Sequence, residues 1–120
     1  MDCLKHLPTP CYVIDAAGLK RNGEILLGVQ KRTGCRILLA QKAFSNYDLY
    51  PEIAPYLAGT EASGLYEAIL GKEEMPHGEV HVFCAAYRED QWEQLLEVAD
   101  HIVFNSVNQL RRFGRRASDA

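Results

Sequence analysis

No apolar run in this sequence approaches the roughly 20 residues that a membrane-spanning helix requires, so nothing in it predicts a membrane partner. Basic charge is not in excess either. Thirteen Lys and Arg stand against sixteen Asp and Glu, a net charge of −3, whereas a nucleic-acid-binding domain is usually strongly basic. The one basic cluster, Arg111-Arg112 with Arg115-Arg116, reads first as the solvated end of a helix, where cations suit the dipole, and second as a partner site. Cysteine is sparse: Cys3, Cys11, Cys35 and Cys84 lie far apart, with no CxxC and no His at zinc-ligand spacing. Reduced thiols in a cytoplasmic protein and no metal centre are the expectation. The first ten residues lack the apolar core of a signal peptide. No glycine-rich loop of a nucleotide-binding type follows a strand.

What is present is an alternation of strands and helices. The 120 residues, 48% of them hydrophobic, suit one domain with a real core. Pro8-Thr9-Pro10 is a stiff lead into Cys11-Tyr12-Val13-Ile14-Asp15, a β-branched and aromatic run that predicts a strand. Asp15 offers an N-cap to a helix over about 16–31, with Leu19, Leu26 and Val29 on one face, and Gly34 closes it. Ile37 to Ala40 is short and uniformly apolar, as in a strand buried on both faces of a parallel sheet.

Later segments repeat the rhythm. Helices are expected over about 49–57, where Pro55 ends or kinks the helix, 65–72, 88–98, and onward from Val107. Gly59 to Gly64 is an extended piece, and Val80 to Ala85 and His101 to Phe104 are further strands. Trp92 is expected in helix-to-sheet packing, and residues 115–120 as a frayed, disordered tail. From residue 36 onward the order is strand-helix four times over, which predicts a parallel sheet with right-handed crossovers. A closed eight-unit barrel typically needs about 250 residues. The fold class is therefore α/β, as an open sheet or as the first half of a (β/α)8 barrel.

Lys42 sits where the apolar strand ends, in Arg36-Ile37-Leu38-Leu39-Ala40-Gln41-Lys42-Ala43-Phe44-Ser45. The carboxyl ends of parallel strands are where ligands and catalytic groups collect. Two readings stand at this point: a surface lysine whose stem covers apolar area, or an amine activated by desolvation to bond a carbonyl. Cys84 has a similar pair of readings, mouth-facing or buried and inert. His81 and His101, in or at strands, read as packing and hydrogen-bonding residues.

Several segments together resemble a known family. Thr9 to Asp15, a helix, and then Ala40-Gln41-Lys42-Ala43-Phe44-Ser45 look like the opening of the pyridoxal-phosphate (PLP) enzymes of alanine-racemase fold, fold type III. The finer resemblance is to the carboxynorspermidine (carboxyspermidine) decarboxylases. It rests on Tyr56-Leu57-Ala58-Gly59-Thr60-Glu61-Ala62-Ser63, on Glu67-Ala68 with Leu70-Gly71, and on His81-Val82 with Ala86-Tyr87. Asp100 to Ser106 with Gln109-Leu110 completes it, so the match runs from about residue 8 to about residue 113. One departure is Gln41, where the family usually carries an apolar residue; alternation points it away from Lys42, and a buried amide there needs partners.

The resemblance implies that Lys42 is both catalytic and cofactor-binding, the lysine that covalently holds PLP. It implies decarboxylation of a small-molecule carboxy-polyamine, carboxynorspermidine or carboxyspermidine, in a full-length homodimer. Residues 1–35 would lead into the barrel and 36–114 would form its first four βα units. Glu61, Ser63 and Glu67 would lie near the lysine, either assisting it or simply solvated at a helix turn. In the family, the phosphate loop, the acidic partner of the pyridine nitrogen and a C-terminal β-domain follow the matched region. The chain is therefore expected to be an N-terminal fragment, inactive alone. The alternatives are another fold-type III decarboxylase or racemase, and a non-catalytic open-sheet α/β binding module.

Overall fold

The computed structural model describes residues 2–120, with side chains from residue 4. Its frame is a four-stranded, all-parallel sheet in the order β1 (Leu38–Ala40), β2 (Gly59–Ala62), β3 (Glu79–Cys84), β4 (His101–Phe104). Consecutive strands are neighbours, and each connection carries helix: α2 (Tyr50–Ile53), α3 (Leu65–Glu74) and α4 (Trp92–Val98), with α1 (Ala16–Thr33) before the sheet and α5 (Val107–Asp119) after it. This is the α/β architecture of a partial barrel.

Local chemistry sets the helix ends. The Asp15 carboxylate accepts a hydrogen bond from the Gly18 N–H at 3.0 Å, which satisfies one of the free donors of the first turn. Gly34 stops α1 with φ +74°, in the left-handed region that glycine enters without steric cost, and its N–H bonds the Gln30 carbonyl. The Gln30 side chain then fastens α1 to the sheet. Its amide donates to the Tyr56 carbonyl at 2.8 Å and accepts from the Ile37 N–H at 2.8 Å.

Side chains alternate across the sheet. Thr60, Ala62, Val80 and Val82 are fully buried on the helix side. Ala62, Val80 and Val82 pack with Leu65, Ala68, Trp92, Leu95 and Phe113 into one core, and Tyr50, Ile53 and Met75 form a second beneath β1. On the opposite side Phe83 and Val103 are exposed (38% and 51%). Among the described residues nothing covers that face.

Four expectations need correction. Cys11 to Asp15 forms no strand and is exposed throughout; β-propensity without a neighbouring strand makes no ladder. Ile37 to Ala40 is not buried on both faces: β1 spans only Leu38–Ala40 and is half-buried, because it is an edge of a sheet covered on one side. The helix expected over 49–57 is broken into a 3-10 turn at Tyr47–Leu49, α2, and a second 3-10 turn at Ala54–Tyr56, with Pro55 denying a donor to any continuous helix. Residues 115–120 are not a disordered tail, since α5 runs to Asp119. Arg116 grips Glu89 and Glu93, and Ala117 packs against the core.

Candidate functional site

Lys42 lies just past the carboxyl end of β1. The ladder continues one residue beyond the strand, since the Gln41 N–H donates to the Glu61 carbonyl at 3.1 Å, and the chain then turns through Ala43 N–H to Ala40 C=O at 3.0 Å. Gln41 points to the helix side and is 1% exposed. Its amide is fully engaged there. Nε2 donates to the Glu67 carbonyl at 2.7 Å, and Oε1 accepts from the Tyr50 hydroxyl at 3.2 Å. Burial of Tyr50, followed by the charges of Glu67 and Glu74, raises its hydroxyl pKa above the usual tyrosine value and keeps it a donor.

Alternation sends Lys42 the other way, onto the open face. Its side chain is 60% exposed, with Nζ 3.7 Å from Glu61 Oε2. That separation makes an ion pair rather than a close hydrogen bond. Glu61, in the middle of β2, is itself only 22% exposed. Glu67 serves a different partner: Oε2 accepts from the Ser63 N–H at 2.6 Å, tying the first turn of α3 to the loop that precedes it. The Ser63 hydroxyl is buried without a hydrogen-bond partner. The structure thus brings Glu61 to Lys42 and turns Glu67 towards the helix start.

A cleft of about 450 Å³ opens at the same end of the sheet, walled by Ser63, Tyr66, Glu67, Cys84, Tyr87 and Arg88. Cys84 is half-buried, and its thiol donates to the Ala86 carbonyl at 3.2 Å. Tyr87 braces the wall. Its hydroxyl lies 2.7 Å from the Val103 carbonyl and 3.1 Å from that of Val82, and accepts from the Cys84 N–H at 3.3 Å. Burial pushes the Tyr87 pKa up to about 12. Beyond the cleft, Gln109 ties the loops after β3 and β4, donating to the Ala85 carbonyl at 2.7 Å and accepting from the Asn105 N–H at 2.9 Å.

Beside Glu61 on the open face, His81 Nε2 lies 3.0 Å from Glu79 Oε2, and the rings of His81 and His101 are 4.2 Å apart. The hydrogen bond with His81 is the main cause holding the Glu79 carboxyl below its usual range, against a smaller upward push from burial, and Arg36 and the two histidines add to the lowering. The expectation that both histidines serve packing and hydrogen bonding holds for the ring contact and the His81–Glu79 bond; their convergence on one carboxylate was not anticipated. Its signal was the Glu-x-His spacing within β3.

No family model matches the chain. A carboxynorspermidine/carboxyspermidine decarboxylase of Herminiimonas arsenicoxydans is 34% identical over 113 residues, covering 94% of this chain and 31% of that protein. One from Campylobacter jejuni is 36% identical over 109 residues, covering 91% and 28%. A carboxyaminopropylagmatine decarboxylase of Synechocystis is 37% identical over 110 residues, covering 92% and 28%. The crystal structure of the Campylobacter jejuni carboxynorspermidine decarboxylase, complexed with norspermidine, superposes with a TM-score of 0.89 at 34% identity, over 93% of this chain and 30% of that one. This chain shares the fold and sequence of part of a carboxynorspermidine decarboxylase. It spans less than a third of the length of these relatives. The resemblance to the carboxynorspermidine decarboxylases is thereby established, and the four parallel strands with their helices are the part of the fold that they share.

Proposed function

We propose that this chain is the lysine-bearing part of a PLP-dependent carboxy-lyase that decarboxylates carboxynorspermidine or carboxyspermidine in polyamine biosynthesis. One observation carries the reading: Lys42 stands at the carboxyl end of β1 on the open face, with a free path to its amine and Glu61 at 3.7 Å. A cofactor aldehyde needs an accessible primary amine, so the residues present fit PLP. When bound, PLP supplies the electron sink for loss of CO2. Lys42 would hold it covalently, and Glu61, 3.7 Å from Nζ, would fix the lysine head group beside the strand ends. Gln41, locked beneath, keeps the strand from turning Lys42 inward. With its side chain 60% exposed, Lys42 still requires further protein to exclude water. In this reading residues 1–35 lead in, 36–114 supply the first four units of a (β/α)8 barrel, and the active enzyme is a cytoplasmic homodimer. The 120 residues alone do not decarboxylate.

The Synechocystis relative supports a second substrate, carboxyaminopropylagmatine, at 37% identity. Both substrates carry a carboxylate on a polyamine-like chain, and the choice between them rests on assaying both with a polypeptide that contains the whole barrel.

The anchor is tested by incubating the chain with PLP, reducing with borohydride and mapping the label by mass spectrometry. Label is expected on the Lys42 peptide and absent from that position in Lys42→Arg. Equal labelling of Lys5, Lys20, Lys31 and Lys72 would sink the assignment.

A further inference from the structure

The open face carries a second cluster beside Glu61: His81 is the register partner of Glu61, His101 is that of His81, and Glu79 lies one layer further from the strand ends. Glu79 and His81 are two residues apart on β3, so both emerge on that face. His101 opens β4 directly opposite His81. Besides the 3.0 Å contact of His81 with Glu79 Oε2, His101 Nε2 lies 3.9 Å from Glu79 Oε1, and one donor atom from each residue falls within 4.8 Å of the others. No other grouping of three His, Cys, Asp or Glu side chains meets that condition among the described residues.

The plain reading is a histidine pair stacked for strand pairing. Stacking alone, however, does not require both Nε2 atoms to turn to one carboxylate. We propose that Glu79, His81 and His101 form a binding site for a divalent transition-metal ion of the zinc class. Two imidazoles and a carboxylate are the donor set such ions prefer, whereas Mg2+ and Ca2+ favour oxygen ligands. Zinc bonds of about 2.0–2.2 Å place tetrahedral ligand atoms roughly 3.3 Å apart. His81 Nε2 is already 3.0 Å from Oε2, while His101 Nε2, 3.9 Å from the other oxygen and within 4.8 Å of its fellow ligand atoms, has to swing inward to complete the site. Glu79 binds through Oε2 in place of the proton shared with His81. Arg36, 2.8 Å from Oε1, stays on the other oxygen and orients the carboxylate. Three protein ligands leave a fourth position free for a water molecule. The ligands stand on two adjacent paired strands, so little order has to be created on binding. The inference does not rest on the PLP reading: neither Lys42 nor Glu61 is a ligand, although Glu61 stands beside His81 in register.

The test is cobalt titration of the tag-free chain, read by the visible ligand-field spectrum of tetrahedral cobalt and reversed by zinc. One equivalent is expected, with zinc raising the thermal midpoint and Mg2+ failing to compete at equal concentration. His101→Ala and Glu79→Gln should each weaken binding at least tenfold, on the order of the loss known for disturbed metal shells, and remove the thermal shift. His6→Ala and His77→Ala should change neither. Far-UV circular dichroism checks each fold; if Glu79→Gln misfolds through loss of the Arg36 pair, His101→Ala, at an exposed position, decides. Absence of a saturable cobalt spectrum, or its survival in His101→Ala, would overturn the site.

Discussion

The side-chain amide of Gln41 donates to the backbone carbonyl of Glu67 at 2.7 Å, joining the residue before Lys42 to the first turn of α3. Gln41 is buried and holds the Tyr50 hydroxyl as well. Gln41→Leu keeps roughly the volume but removes both bonds, leaving the Tyr50 hydroxyl only its longer contact to the Phe44 carbonyl at 3.4 Å, at a cost of about 0.5–1.5 kcal/mol for each bond lost. The urea midpoint should fall accordingly. A variant as stable as the parent would mean that the two groups find other partners.

Gly59 and Gly64 bracket β2, and alanine at the two positions should have opposite consequences. At Gly59, φ is +155° and a Cβ would lie 2.0 Å from the Glu79 carbonyl oxygen, a backbone atom of the neighbouring strand. At Gly64 a Cβ would meet nothing within 4 Å. Gly59→Ala is expected to prevent cooperative folding or to lower the thermal midpoint steeply, and Gly64→Ala to leave it within a few degrees. Parallel thermal melts compare them directly.

Tyr87 makes alkaline stability a readout of the cleft wall. Its pKa, pushed up to about 12 chiefly by burial, exceeds the roughly 10 of a free tyrosine. The folded state therefore binds the phenolic proton more tightly than the unfolded chain does. The resulting stability is complete below pH of about 10 and is lost as pH rises towards about 12. Tyr87→Phe should flatten that limb of the profile. It should also cost about 1–2 kcal/mol near neutrality, because the Val103 carbonyl loses its donor.

The α5 clamp acts at the acid end. Hydrogen bonds from Arg116, then Arg112, hold the Glu89 carboxyl below its usual range. A depressed acid contributes stability at neutral pH that disappears as pH falls through and below the ordinary glutamate range. Amide exchange over 115–119, expressed against each amide's intrinsic rate at the same pH, should accelerate on acidification and in high salt. Arg116→Ala should reproduce that acceleration at neutral pH while leaving exchange in β3 unchanged.

The strand-helix alternation from residue 36 onward and the helix ends were legible because they are local. Asp15 and Gly34 act within one turn of their own helix, and the apolar runs announce β3 and β4. Cys11 to Asp15 misled because a strand is a pair property: the run has the right residues and no neighbour. Lys42 stood out by position at a strand end, and its partner Glu61 was reachable through the motif around Gly59. The hold of Gln41 on Glu67 spans 26 positions, and the meeting of Glu79, His81 and His101 depends on the register of β3 with β4. Neither is written in any single stretch. The basic pairs near the C-terminus were read as solvated, whereas Arg112 and Arg116 have acidic partners more than 20 residues back. Charge composition does not reveal who faces whom.

β1 is both the shortest strand and an edge of the sheet: three residues, paired on one side only among the described residues. In the barrel reading proposed above, the segment that pairs with its free side would come from outside 38–104, so that contact would close a long loop and form late. Lys42 rides on this seam. Its placement is thus tied to the last act of folding rather than the first, and a half-made chain carries the amine before it carries a place to use it.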